Sequence, residues 1–207
     1  QINQALKDNG LENDTLLVFT SDNGPWVSYG NHAGATPFRE AKGTSFDGGI
    51  RSACLAKYPG KLAAGSVSEA AWCTIDLLPT IAHLTETPLP KNTIDGKNVW
   101  PLITGAKDAK TPQPYYAFSN GRDFQGVISG DGKWKLHVPH TYRTLVKPAN
   151  DGQAGKYRQS TIALSLFDLE NDPYETTNVA AKHPKVFESL QQVANKPRAE
   201  FYPPKKN

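Results

Sequence analysis

Hydrophobic positions along the chain change their period several times, and each change marks an element. Residues 1–9 (QINQALKDN) set Ile2, Ala5 and Leu6 at helical spacing, and Gly10 fits the position just past a helix end. Thr15–Thr20 is then a short apolar run rich in β-branched and aromatic residues, which predicts a buried strand. Helix, tight turn and buried strand in that order read as the second half of a βαβ unit, hence a parallel sheet flanked by helices. Ile50–Tyr58 resumes a strand-like pattern that Pro59-Gly60 closes. In Ala70–Leu84 the positions Ile75, Leu78, Ile81 and Ala82 predict an amphipathic core helix, with Pro79 forcing a kink or a break. His83, near its end, reads as a cap or a surface residue.

Past the polar stretch Gly105–Gln113 the texture becomes that of a small antiparallel sheet. Tyr115–Phe118, Phe124–Ile128, Trp134–Val138 and Leu164–Leu169 are short strand candidates, and Gly130-Asp131-Gly132 is a hairpin signal. His140–Gln159 reads as a basic loop. Pro184–Ala194 carries Val186, Phe187, Leu190 and Val193 on one face and predicts a closing helix. The expected organisation is residues 1–108 as part of a larger α/β domain and 109–207 as a small α+β domain.

Composition narrows the function classes only a little. A chain of 207 residues can bury one good core and a satellite. Its net charge of +3, without a dense Lys/Arg stripe, argues against a nucleic-acid partner. No stretch approaches the length of a membrane span. Cys54 and Cys73 lie in apolar surroundings and read as two buried thiols, with a single disulfide also open.

Candidate chemistry gathers behind the first strand. Asp22, Asn23 and Gly24 follow it directly, and in parallel sheets the carboxyl ends of the strands are where sites form. A carboxylate beside an amide oxygen suits a hard cation such as calcium or magnesium. The same residues are also the usual turn formers, so this stretch alone leaves turn and cation site both open. Pro25–Ala41 is a long loop bearing Trp26, Tyr29, His32, Phe38 and Arg39, too aromatic for a free linker. Lys42 stands on a glycine-rich turn, as an anion-binding ammonium or as a solvated surface lysine. Thr44 and Asp47 resemble a capping arrangement, cut short by Gly48-Gly49. Arg51 reads as a structural tie for this loop.

The ordered set of these pieces resembles the C-terminal half of a type I, formylglycine-dependent sulfatase of the arylsulfatase family. It comprises Ser21-Asp22-Asn23-Gly24, Lys42-Gly43-Thr44, Phe46-Asp47-Gly48-Gly49-Ile50-Arg51, Tyr58-Pro59-Gly60 and Asp76-Leu77-Leu78-Pro79-Thr80. Asp95-Gly96, Gly132-Lys133-Trp134-Lys135-Leu136, Leu166-Phe167-Asp168-Leu169 and Asn171-Asp172-Pro173 with Glu175 and Asn178 continue it. The resemblance implies an alkaline-phosphatase-superfamily α/β sheet domain, present in part, followed by a small antiparallel sheet with a terminal helix. It implies Asp22 and Asn23 as metal ligands, for Ca2+ or Mg2+, and Lys42 as the catalytic lysine on the sulfate. His140, His137, Arg39, His32 and Trp26 become candidates for contact with a sulfate-ester substrate.

Neither cysteine begins a Cys-x-Pro-x-Arg motif, the source of the family's formylglycine nucleophile. The expectation is therefore half an active site, with the nucleophile on a missing N-terminal part, in the same sequence or a separate chain. Periplasmic, secreted or lysosomal placement is implied by the family alone. The rival readings are a phosphodiesterase or phosphonate hydrolase of the same superfamily, and a non-catalytic fragment or subunit that binds sulfated glycans.

Overall fold

The computed structural model describes residues 1–32 and 36–201, with backbone alone for Asn31 and His32. The chain forms two compact units, Gln1–Ser21 with Ala53–Gln113, and Asp22–Ser52 with Pro114–Asn207. The loop that follows the first strand thus belongs to the same unit as the C-terminal sheet.

In the first unit, helix α1 (Ile2–Asp8) closes at Gly10, whose φ of +67° a residue with a side chain resists. The Gly10 N–H donates to the Lys7 carbonyl and the Leu11 N–H to that of Leu6, which satisfies the last turn. Strand β1 (Leu17–Thr20) pairs with β2 (Cys54–Lys57) in the register Leu17↔Lys57 to Thr20↔Cys54. The pairing is antiparallel, which corrects the parallel expectation for this contact. Nor is β1 buried: Phe19 is 70% exposed and Leu55 67%, because two strands alone cover neither of their faces.

Helix α3 (Leu77–Leu84) begins after a 3-10 turn at Thr74–Asp76, so Pro79 falls in its first turn. An N–H there has no acceptor within the helix, and the helix runs on through the proline to Leu84 without a break. The expected core face is also corrected. Ile75, Leu78 and Ile81 are exposed, while Pro79, Thr80 and Ala82 turn inward. Asp76 decides this orientation. Its buried carboxylate accepts from the Cys73 and Lys97 N–H groups and from the Gln113 amide, and Thr80 Oγ1 accepts from the Val99 N–H. These hydrogen bonds tie the Asp76 and Thr80 side of the helix to residues 97, 99 and 113. A short helix α4 (Trp100–Ile103) follows. Cys54 is exposed and Cys73 half-buried, both as free thiols, which corrects the reading of two buried ones.

The second unit carries the candidate site. After the one-turn helix α2 (Asp47–Ile50) comes an antiparallel sheet of order β3-β4-β5-β8, formed by Tyr115–Asn120, Asp123–Ser129, Trp134–His137 and Ser165–Asp168. Helix α5 (Pro184–Phe201) packs Leu190 and Ala194 on one face, against Phe124, Val127, Leu136 and Leu166. The two-residue alternation of a strand sends Leu136 to that side and its neighbours Lys135 and His137 to the other. There Phe46, Tyr142, Ile162, Phe167 and Leu169 form a second cluster. The stretch read as a loop at 140–159 is mostly a two-stranded ribbon, β6 (His140–Lys147) and β7 (Lys156–Ile162).

Candidate functional site

The segment after β1 is held by its own backbone. The Gly24 N–H donates to the Gly49 carbonyl at 2.8 Å, and the Lys42 N–H to that of Pro25 at 3.1 Å. A Cβ on Gly24 would stand 1.9 Å from the Gly48 carbonyl oxygen, so only glycine allows this approach. Asp22 (exposed) and Asn23 (half-buried) are therefore two residues and one residue from a fixed contact with the glycine turn, and Lys42 is tied to the same segment. The half-buried Lys42 lies with Nζ 5.2 Å from the ring centre of Trp26, which itself meets Tyr29 edge-on. Beside it is a cavity of about 60 Å³ lined in part by Val27, Glu40, Lys42, Arg143 and Tyr157.

Below the turn runs a buried ion network. Lys135 Nζ, with no solvent exposure, donates to Asp47 Oδ1 at 2.7 Å and to Glu175 Oε1 at 3.2 Å. Glu175 Oε1 also accepts the Asp47 N–H at 2.6 Å, and its Oε2 pairs with His137 Nε2 at 3.1 Å. Asp47 thus works as an anchor to the sheet. The cap expected from Thr44 is absent, since Thr44 Oγ1 donates instead to the Ala41 carbonyl. Arg51 approaches Asp47 Oδ2 at 3.7 Å and lies over Phe38, the structural tie that was expected.

Residues 1–87 match the Sulfatase family model. Human arylsulfatase A is 34% identical over 201 residues, which cover 91% of this chain and 39% of that protein. The chain belongs to the sulfatase family. Mouse steryl-sulfatase is 28% identical over 225 residues, covering 96% of this chain and 35% of that protein. A sulfatase of Pseudoalteromonas sp. shares the α/β fold with a TM-score of 0.78 over 99% of this chain and 41% of its own, at 24% identity. This sulfatase-family chain spans well under half the length of the relatives it matches.

Several residues singled out in the sulfatase-family sequence lie close together, and others do not. Trp26 and Lys42 are in contact, and backbone bonds join their segment to that of Asp22 and Asn23. Arg39 is occupied elsewhere: Nη1 donates to the Glu175 carbonyl at 2.5 Å, Nη2 to the Tyr142 hydroxyl, and the guanidinium covers Phe46. The His137 and His140 rings stack at 5.4 Å. A carbonyl only accepts, so His140 Nδ1 carries the proton toward Val138 O at 2.8 Å. That leaves Nε2 as a buried acceptor with no partner among the described residues. The side chain of His32 lies outside the described residues.

The donor chemistry of Asp22 and Asn23 fits a hard cation, but they supply only two of the roughly six to eight oxygens such an ion takes. Among the described residues no group of three or more His, Cys, Asp or Glu is arranged to hold a metal. Two features escaped the sequence reading. Lys135 and Glu175 were visible only as family-pattern residues, and Arg143 only as part of a basic loop. A lysine inside the alternating strand Trp134–His137 was the available signal, because an inward lysine demands a buried acid.

Burial pushes the His137 pKa down to about 4; the Lys135 ammonium acts the same way, and both outweigh the Glu175 carboxylate. The folded protein therefore keeps this imidazole neutral while the unfolded chain takes up a proton below about pH 6.5. Stability is full above that pH and falls as the pH drops from about 6.5 toward 4, by at most about 1.4 kcal/mol per unit. For Glu175, burial raises the pKa, but Lys135 and His137 prevail and hold it below the usual value. Its loss thus comes at still lower pH. Urea unfolding of the protein at neutral pH and near pH 5 should show the decline, and His137→Gln should flatten it. Equal midpoints at both pH values would contradict the assignment.

Proposed function

We propose that this chain supplies part of the active site of a sulfatase, one that hydrolyses a sulfate ester to an alcohol or phenol and inorganic sulfate. The observation that supports the reading most is the backbone pinning of Asp22–Gly24 to Gly49 and of Pro25 to Lys42. It holds a pair of hard oxygen donors and a cation on one fixed segment. Asp22 and Asn23 would hold a divalent cation, Ca2+ or Mg2+, together with ligands from outside these 207 residues. Such an ion, when bound, polarises the sulfate and favours an ionised nucleophile. By family resemblance that nucleophile is a formylglycine, which would also come from outside the chain, on the same polypeptide or a partner.

What these residues do themselves is bind and balance charge. The Lys42 ammonium faces the sulfuryl or bridging oxygen and stabilises the charge that gathers there as the S–O bond to the leaving group breaks. Trp26, 41% exposed beside Lys42, offers a flat apolar surface for the organic part of the ester. His140, a substrate-contact candidate by the resemblance, has its protonated Nδ1 committed to Val138 and its Nε2 buried, so a substrate hydroxyl would reach it only if that nitrogen were uncovered. Arg39 and His137 act as supports, through Glu175. The described residues include no helix long and apolar enough to cross a membrane. A periplasmic, secreted or lysosomal setting fits the family.

The test is the full-length protein, supplied with Ca2+, acting on 4-nitrophenyl sulfate and on the matching phosphate and phosphonate esters. Faster sulfate release supports the reading. A preference for the phosphonate or phosphate ester would move the protein to the hydrolases of the wider superfamily, and turnover of none of them would leave a binding role.

A further inference from the structure

We propose that Arg143 is the positioning residue for Lys42, so that the β6–β7 ribbon sets the lysine against the substrate. The inference rests on the active-site reading above. Arg143 Nη2 donates to the Lys42 carbonyl at 3.0 Å, so the contact is made to the backbone that aims the lysine. The guanidinium lies directly against the next residue: a Cβ on Gly43 would come within 2.4 Å of Nη2 and 2.9 Å of Cζ. Gly43 also has a φ of +87°, a conformation that side-chain-bearing residues resist. On its other side the guanidinium stacks over Tyr157, 4.8 Å from the ring centre, and Tyr157 pairs with Leu145 across the ribbon. Arg143 is thus clamped between the ribbon and the Lys42-Gly43 turn.

The position needs explaining, because it brings a second cation up to the peptide of Lys42. Two like charges gain nothing from proximity. The arrangement holds because a carbonyl accepts the N–H and an aromatic face takes the cation. The ribbon also grips the segment on both sides of the lysine. Thr144 Oγ1 donates to Glu40 Oε1 at 2.9 Å, and the N–H groups of Ala149 and Gly155 both donate to the Ser28 carbonyl. Ser28 lies between Trp26 and Tyr29. The ribbon therefore fixes the Trp26 turn, Glu40 and Lys42 at once, with Arg143 as the contact nearest the ammonium-bearing residue. A lysine at position 143 would keep the charge but lose the planar fork that fits between Gly43 and Tyr157.

The test is a double-mutant cycle in the full-length protein, read as kcat on 4-nitrophenyl sulfate for wild type, Arg143→Ala, Lys42→Ala and the double variant, with Arg143→Lys in parallel. Arg143→Ala and Arg143→Lys should each lower kcat roughly tenfold, as a small misplacement of a catalytic group does. In the Lys42→Ala background the Arg143→Ala loss should vanish, because the group being positioned is gone. An equal loss in both backgrounds would show that Arg143 acts by another route and would overturn the inference while leaving the active-site reading intact. If Arg143→Ala fails to fold, Arg143→Lys in both backgrounds decides by the same comparison. If Lys42→Ala itself leaves kcat unchanged, the active-site reading fails, and the positioning role falls with it.

Discussion

Lys135→Met is expected to destabilise the protein by about 3–5 kcal/mol, the cost of removing one partner from a buried ion cluster. Lys135 and Glu175 are fully buried and Asp47 nearly so, and the single ammonium serves both carboxylates. Without it, two acids face each other in a site closed to water, and the remaining donors are few. The Asp47 N–H and His137 Nε2 still reach Glu175, but both are already counted in the intact network. Arg51 stands 3.7 Å from Asp47 and is half-exposed, too far and too solvated to replace the lysine. A variant that also carries Asp47→Asn and Glu175→Gln should recover much of the loss, since burying neutral amides is far cheaper than burying unpaired charge. Urea unfolding of the three proteins checks this. A Lys135→Met variant within about 1 kcal/mol of wild type would mean that water reaches the cluster.

The same substitution should reach the candidate site. Asp47 begins the turn whose Gly49 carbonyl receives the Gly24 N–H, so a loosened Asp47 loosens the anchor of Asp22 and Asn23. Activity of the full-length protein should then fall before global unfolding sets in.

Lys42→Ala is expected to act the other way round, with a large effect on rate and a small one on stability. Its ammonium makes one described contact, over the Trp26 ring, and its backbone bonds to Pro25 and Arg143 survive truncation. Removing one preorganised donor to a charge-gathering oxygen costs on the order of 10²-fold or more in kcat. Asp22→Ala should cost still more, because it takes charge from the proposed cation site itself. Steady-state rates on an aryl sulfate, with thermal melts alongside, separate the two kinds of effect. A Lys42→Ala variant with wild-type kcat would remove the lysine from the chemistry.

Much of this was legible in the chain. The run at Thr15–Thr20, the hairpin signal at Gly130–Gly132 and the apolar face of Pro184–Ala194 each announced an element by local pattern, and each element is present, the first as the shorter strand Leu17–Thr20. The ordered motifs also pointed to the sulfatase family, because many weak signals in the right order are jointly specific. Local pattern failed where partners were distant. Ile75, Leu78 and Ile81 have the spacing of a core face, but the hydrogen bonds of Asp76 to residues 97 and 113 turn the helix another way. Residues 140–159 of the ribbon read as a loop because its strands are polar, and their pairing is stabilised by contacts to Ser28, Glu40 and Lys42.

The candidate site divides along the same line. The sequence by itself nominated, through its family resemblance, Asp22 and Asn23 as hard oxygen donors and Lys42 as the cation, and it contains no Cys-x-Pro-x-Arg among the 207 residues. Only the tertiary structure decided what holds them. Gly24 meets Gly49, Arg143 meets Lys42 across about a hundred residues of chain, and Lys135 joins Asp47 to Glu175 inside the protein. Local propensity acts over a few neighbours, whereas desolvation and hydrogen-bond geometry depend on every group that folding brings within a few ångströms.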